Sequence, residues 1–195
     1  MAAPAKPKID PADIWVHADC FYQTLALLCN VDPYNAQLAI TVAQPTMVVG
    51  ALTIELFLKC LICIETGSVQ RGHDLKELFD LLRPQTQSRV QREWDTLILP
   101  FRAPEWDTTE KQLGVTIARD LPSALSAGSE AFEKIRYSYE NENENLQYYL
   151  QDLPRILGRV ILELKPEWKT LRRIAEPLEP PAHHSNPALD VQNGP

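Results

Sequence analysis

Apolar residues crowd most densely into Met47 to Thr66, MVVGALTIELFLKCLICIET, where they surround nearly the whole helical circumference. Such a helix is packed on most sides by other helices. The run is long enough to cross a bilayer, but Glu55 and Lys59 sit near its middle, where each charge costs about 3 kcal/mol in hydrocarbon. The pattern therefore predicts the central helix of a water-soluble bundle, with Glu55 and Lys59 paired one turn apart, acid first. Thr46 is its expected cap, Pro45 lies just outside, and Gly67 ends it.

Amphipathic elements flank this helix. Asp10-Pro11-Ala12-Asp13 starts a first helix, with a capping aspartate, proline at the first helical position and negative charge at the positive end of the dipole. Trp15, Phe21, Tyr22, Leu25, Leu28 and Cys29 recur along its apolar face. From Asn30 to Pro45, the turn signal Asp32-Pro33 and the alternation of Leu38, Ile40 and Val42 predict loop with at most a short helix.

After the central helix, Asp74 and Glu77 form a capping-box spacing ahead of Leu75, Leu78, Phe79 and Leu82, and Pro84 stops that helix. Gln85 to Leu99 reads as helix, with Val90, Trp94, Leu97 and Ile98 inward and Arg89, Arg92 and Glu93 outward. Pro100 and Pro104 make Pro100 to Asp107 a loop. Asp107-Thr108-Thr109-Glu110 then caps a helix through Arg119 that Gly114 weakens. Pro122 opens a helix with Leu125, Phe132, Ile135 and Tyr139 on one stripe; Gly128 on that stripe marks either close helix contact or a local break. Leu146 to Leu164 is the last long helical stretch, kinked or restarted at Pro154, and Trp168, Leu171 and Ile174 suit one or two final turns. The sum is an all-α, up-and-down bundle of about five to seven helices, in one domain over 10–176. The segments 1–9 and 177–195, the second rich in proline, read as disordered tails.

Length and charge narrow the function. A chain of 195 residues suits one well-cored domain. A net charge of −7 opposes sequence-independent binding to nucleic acid or anionic lipid unless a local basic patch exists. The first residues, MAAPAKPKIDP, contain no secretory signal, so a cytoplasmic protein with no membrane association is expected. Cys20, Cys29, Cys60 and Cys63 then belong to a reducing compartment. Cys60-x-x-Cys63 has zinc-ligand spacing, but on one face of an apolar helix it reads as two buried thiols. His183-His184 lacks further ligands nearby, and Glu140, Glu142 and Glu144 lack the glycine and spacing of a calcium loop. No metal and no cofactor is expected. No phosphate-binding glycine loop, zinc-protease helix or nucleophile elbow occurs.

Arg136, flanked by Tyr137 and Tyr139, offers a fork for phosphate and aromatic faces for bases. It equally suits a structural pair with Glu140 one turn on, the tyrosines packing in the core. His73 precedes a helix, where it can act at the surface or simply help cap; His17 lies off its helix's apolar stripe.

Taken together, Glu55-x-x-x-Lys59 in an apolar helix, Gly72-His73-Asp74-Leu75 opening LKELFDLL, and Phe132 with Arg136-Tyr137-Ser138-Tyr139-Glu140 resemble the HEPN superfamily over roughly Asp13 to Leu164. The resemblance implies a small α-helical bundle of prokaryotic defence, toxin-antitoxin or RNA-processing systems, commonly a homodimer. Active members pair an arginine with a histidine that follows after four to six intervening residues and cleave RNA without metal, the adjacent 2′-hydroxyl attacking. Here Arg136 matches the arginine, while Asn141 and Asn143 stand where the histidine falls, and an amide cannot exchange a proton near neutral pH as imidazole does.

The expected protein is a non-catalytic binding or regulatory module for RNA, a nucleotide, or a cognate nucleotidyltransferase or antitoxin-type partner. Arg136, Tyr137, Tyr139, Asn141 and His73 would face the groove. The alternatives are a metal-independent endoribonuclease using Arg136 with a displaced histidine, His73 or His17, and a helical scaffold that binds only another protein.

Overall fold

The computed structural model describes residues 9–30, 35–135 and 148–172, with the side chains of 131 and 133 excepted. Among the described residues the chain is all-α and contains no strand. Helix α1 spans Pro11–Cys29, α2 Ala36–Thr66, α3 Leu75–Asp80 and α4 Pro84–Glu93. A π-turn, Trp94–Ile98, leads into α5, Leu99–Leu113; α6 spans Leu121–Ile135, α7 Leu153–Leu164, and a 3₁₀ turn covers Pro166–Leu171.

The central helix is longer than its apolar run predicts. The expected loop ahead of Thr46 is helical from Ala36, because the Asn35 side chain accepts from the Leu38 amide at 3.0 Å and caps the element earlier. Thr46 is no cap; its hydroxyl donates to the Val42 carbonyl at 2.7 Å, and Pro45 sits inside the helix. An internal proline costs about 3 kcal/mol. Packing along α1, the most extensive helix pair in the fold, outweighs that local preference. The alternation of Leu38, Ile40 and Val42 marks no strand, and Leu38 and Ile40 lie exposed on the helix. At the other end Gly67 takes the left-handed conformation expected of it, φ 74°, its amide donating to the Cys63 carbonyl.

α2 also packs on α3, α6 and α7, so its Ile54, Phe57, Leu58 and Leu61 form the middle of the core. By length and composition α2 could cross a membrane, but 61% of its apolar window is buried inside the protein. Trp15 of α1 stacks on Phe57 at 5.6 Å and on Trp168 of the 3₁₀ turn at 6.4 Å. A second aromatic group joins Trp94 to Trp106 at 6.2 Å, with Tyr149 edge-on to Trp106. Cys60 and Cys63 are buried thiols, Cys20 and Cys29 are exposed, and no metal-binding group of side chains occurs among the described residues.

The expected loop Pro100 to Asp107 is helix α5. In the π-turn the Leu99 amide bonds the Trp94 carbonyl, five residues back, and this widening accommodates Pro100 in the first turn of α5. The extra residue offsets the register, so Leu97, expected inward, is 43% exposed. Glu93, expected outward, is buried between Arg89 at 2.8 Å and Arg159 at 2.9 Å. Asp107 and Glu110 cap nothing, because they lie in the body of α5. Both pair with Arg119 at 2.6 Å, and Glu110 accepts from the Ile117 amide at 2.8 Å. α5 ends at Gly114, φ 65°, short of the Arg119 expected.

Asp120 caps α6 through the Ser123 amide at 2.9 Å. Gly128 marks close contact, since a Cβ there would strike the Leu150 side chain. Pro154 restarts the chain as α7 rather than kinking a longer helix. Tyr139, Leu146, Ile174 and most of the two tails lie outside the described residues.

Candidate functional site

Asp74 closes the 67–74 turn by capping α3, its carboxylate accepting from the Glu77 amide at 2.8 Å. The first α3 amide, that of Leu75, has no partner within its helix and donates to Ser129 Oγ of α6 at 2.8 Å. The turn is thereby fixed to α6 as well as α2. Gly72, at φ 98°, supplies a backbone conformation that a side chain would strain. The next residue, His73, lies over α2.

There its Nδ1 stands 3.0 Å from Glu55 Oε1, the same oxygen that accepts from Lys59 Nζ at 2.7 Å. The three side chains differ sharply in exposure: Glu55 4%, Lys59 13%, His73 72%. A buried carboxylate thus holds an exposed imidazole by one nitrogen. In the neutral ring, donation from Nδ1 leaves Nε2 as the lone-pair atom. The second oxygen of Glu55 is buried and has no hydrogen-bond partner among the described residues, so the carboxylate retains acceptor capacity there. Phe132 and Ile135, buried on α6, are the last apolar positions before the segment that begins at 136.

Of the residues singled out from sequence, the structure brings together Glu55, Lys59 and His73. Arg136, Tyr137, Tyr139, Asn141 and Asn143 lie outside the described residues. His17 is exposed on α1 with its ring edge-on to Phe21 at 5.1 Å.

Sequence reasoning missed a second cluster. Arg155 and Arg159 on α7 and Lys169 and Arg172 near the chain's last described residues line one cavity of about 430 Å³ with Tyr22 of α1. Arg172 reaches back to the buried Asp19 at 3.0 Å, as Arg159 does to Glu93. A signal existed: Asp19 lies one turn after Trp15, on the apolar stripe of α1, where a carboxylate requires a cation. Arg155 and Arg159 gave none, because arginines on the polar face of an amphipathic helix read as solvated.

Comparison with protein-family models, with curated proteins and with solved structures gives no match.

Proposed function

We propose that this chain is a HEPN-like helical module that binds RNA, with nucleotides and a cognate nucleotidyltransferase or antitoxin-type protein as further partners, in a prokaryotic defence or toxin-antitoxin type setting. It acts as a homodimer and does not cleave what it binds. The observation that carries the reading is the cluster at the centre of the bundle. Glu55 and Lys59 of the apolar helix are paired, and the Gly72-His73-Asp74-Leu75 turn is fastened over them, which supports the reading for these two phrases; the phrase from Arg136 lies outside the described residues. The sequence after Arg136 supports binding over cleavage, because Asn141 and Asn143 replace the proton-exchanging histidine.

Binding of the purified protein to single-stranded RNA, measured by fluorescence anisotropy, tests this. Expected are a saturable complex, RNA that stays intact in EDTA, and affinity weakened at least tenfold by Arg136→Ala and severalfold by His73→Ala. Binding unchanged by both substitutions removes the reading.

The His73 geometry favours a second reading, a metal-independent endoribonuclease. An imidazole held through Nδ1 by a buried carboxylate can take the 2′-hydroxyl proton at Nε2 as that oxygen attacks phosphorus and the 5′-oxygen leaves. RNA cut in EDTA to a 2′,3′-cyclic phosphate, with cutting lost in both His73→Ala and Arg136→Ala, selects this enzyme. Uncut RNA selects the module.

A further inference from the structure

The arginine cluster on α7 lies apart from the His73 surface in residues and elements. Its cavity of about 430 Å³ adjoins a second, of about 520 Å³, lined by Leu97, Phe101, Asp152, Arg155 and Arg159. Arg155 and Arg159 line both, so the two cavities adjoin at these side chains on α7, with the half-buried Tyr22, its ring 6.0 Å from Phe57, in the first and Phe101, 71% exposed with the Arg102 guanidinium 5.3 Å from its ring centroid, in the second. The π-turn contributes directly, since its register offset leaves Leu97, and Phe101 one turn on, facing outward.

The carboxylates beside the groove already have partners. Asp152 pairs with Arg102 at 2.7 Å and Glu163 with Arg89 at 2.9 Å, while the buried Asp19 and Glu93 hold Arg172 and Arg159. Arg155 and Lys169 form no ion pair among the described residues, so in a chain of net charge −7 they leave two unspent cations in one cavity. Arg159 and Arg172 are held in place by their carboxylates and keep further guanidinium donors.

We propose that these adjoining cavities are a binding site for single-stranded nucleic acid, which they take by the phosphate backbone with a base against the exposed Phe101. Arginines four residues apart on a helix stand about 6 Å apart along its axis, the scale of one nucleotide step in an extended strand. Two adjoining cavities suit a chain of phosphates better than a single anion, and the exposed Phe101 suits a base, which stacks irrespective of sequence.

The test uses the full chain, a 5′-labelled twelve-nucleotide oligouridylate and fluorescence anisotropy at rising salt. Arg155→Glu with Lys169→Glu is the informative variant, because neither cation holds a buried carboxylate and its melting curve should match the parent's. Expected are a tenfold or greater loss of affinity and a shallower salt dependence in the double variant, and a severalfold loss in Phe101→Ala. Binding lost in His73→Ala but unchanged in the double variant overturns the inference while leaving the module reading intact. Inorganic polyphosphate competing as well as oligouridylate, with Phe101→Ala unaltered, overturns it as well, because the site is then a simple polyanion trap. No binding by the parent protein overturns both.

Discussion

Replacing Glu55 with glutamine leaves the largely buried Lys59 ammonium without its counter-ion, whereas replacing His73 with alanine removes an exposed ring from the same oxygen. Breaking a buried pair from one side costs about 3 kcal/mol. Urea unfolding should therefore show Glu55→Gln strongly destabilised and His73→Ala close to the parent. Equal losses would mean that the histidine is part of the scaffold.

Titration adds a second expectation at this scale. The Ile117 amide, and after it Arg119, hold the Glu110 carboxyl below its ordinary 4.5. Its contribution is complete above pH 4.5 and is lost as pH falls through the lower folded value. Burial, and then the neighbouring Cys63, push the Cys60 thiol up to about 12 from 9.0. Stability therefore also falls as pH rises from 9 towards 12, where the unfolded chain ionises first. Melting temperatures across pH should fall at both ends, less steeply at the acid end in Glu110→Gln and at the alkaline end in Cys60→Ala. Native-state alkylation should reach Cys20 well before Cys60.

Helix elements separate what their sequences announce from what neighbours impose. Asp10, Asp74 and Gly67 act as punctuation where local chemistry alone decides, so those boundaries are legible, whereas at Pro154 the sequence leaves kink and restart open and the structure shows a restart. Pro45, Pro100 and Pro104 were misread as breaks, because the pairing of α1 with α2 and the π-turn outweigh a local cost that sequence alone suggests is decisive. The same competition governs the helical glycines. A Cβ at Gly158 would meet Phe57 at an ordinary 3.6 Å, whereas at Gly128 it would collide with Leu150 in the core. Helix propensity favours alanine by about 1 kcal/mol, and overpacking costs about 1–3 kcal/mol. Gly158→Ala should thus raise the denaturation midpoint and Gly128→Ala lower it, a pair of opposite signs that chemical unfolding can read directly.

At the level of the whole molecule, α2 is the shared wall of α1, α3, α6 and α7: it is the main partner of α1 and α7, while α3 and α6 pack on each other as well as on α2. The sequence disclosed this hub, since only the central run is apolar on all sides. It also disclosed the Glu55–Lys59 pair, but not that His73 completes it, because a contact between residues 18 apart depends on how the 67–74 turn folds. Leu61→Ala, in the middle of that wall, should cost about 3 kcal/mol. The loss should appear in one unfolding transition for every probe, and two separated transitions would contradict a single core.

A shared wall also means that the halves of the protein have no separate reserves of stability. The His73 surface hangs from the turn after α2, and the arginine cluster hangs from α7, docked on its flank. Any ligand captured at either place draws the native state forward by mass action. One calorimetric trace of the intact chain would register occupancy at both addresses, and the two sites would each feel the other's tenant through the melting point alone.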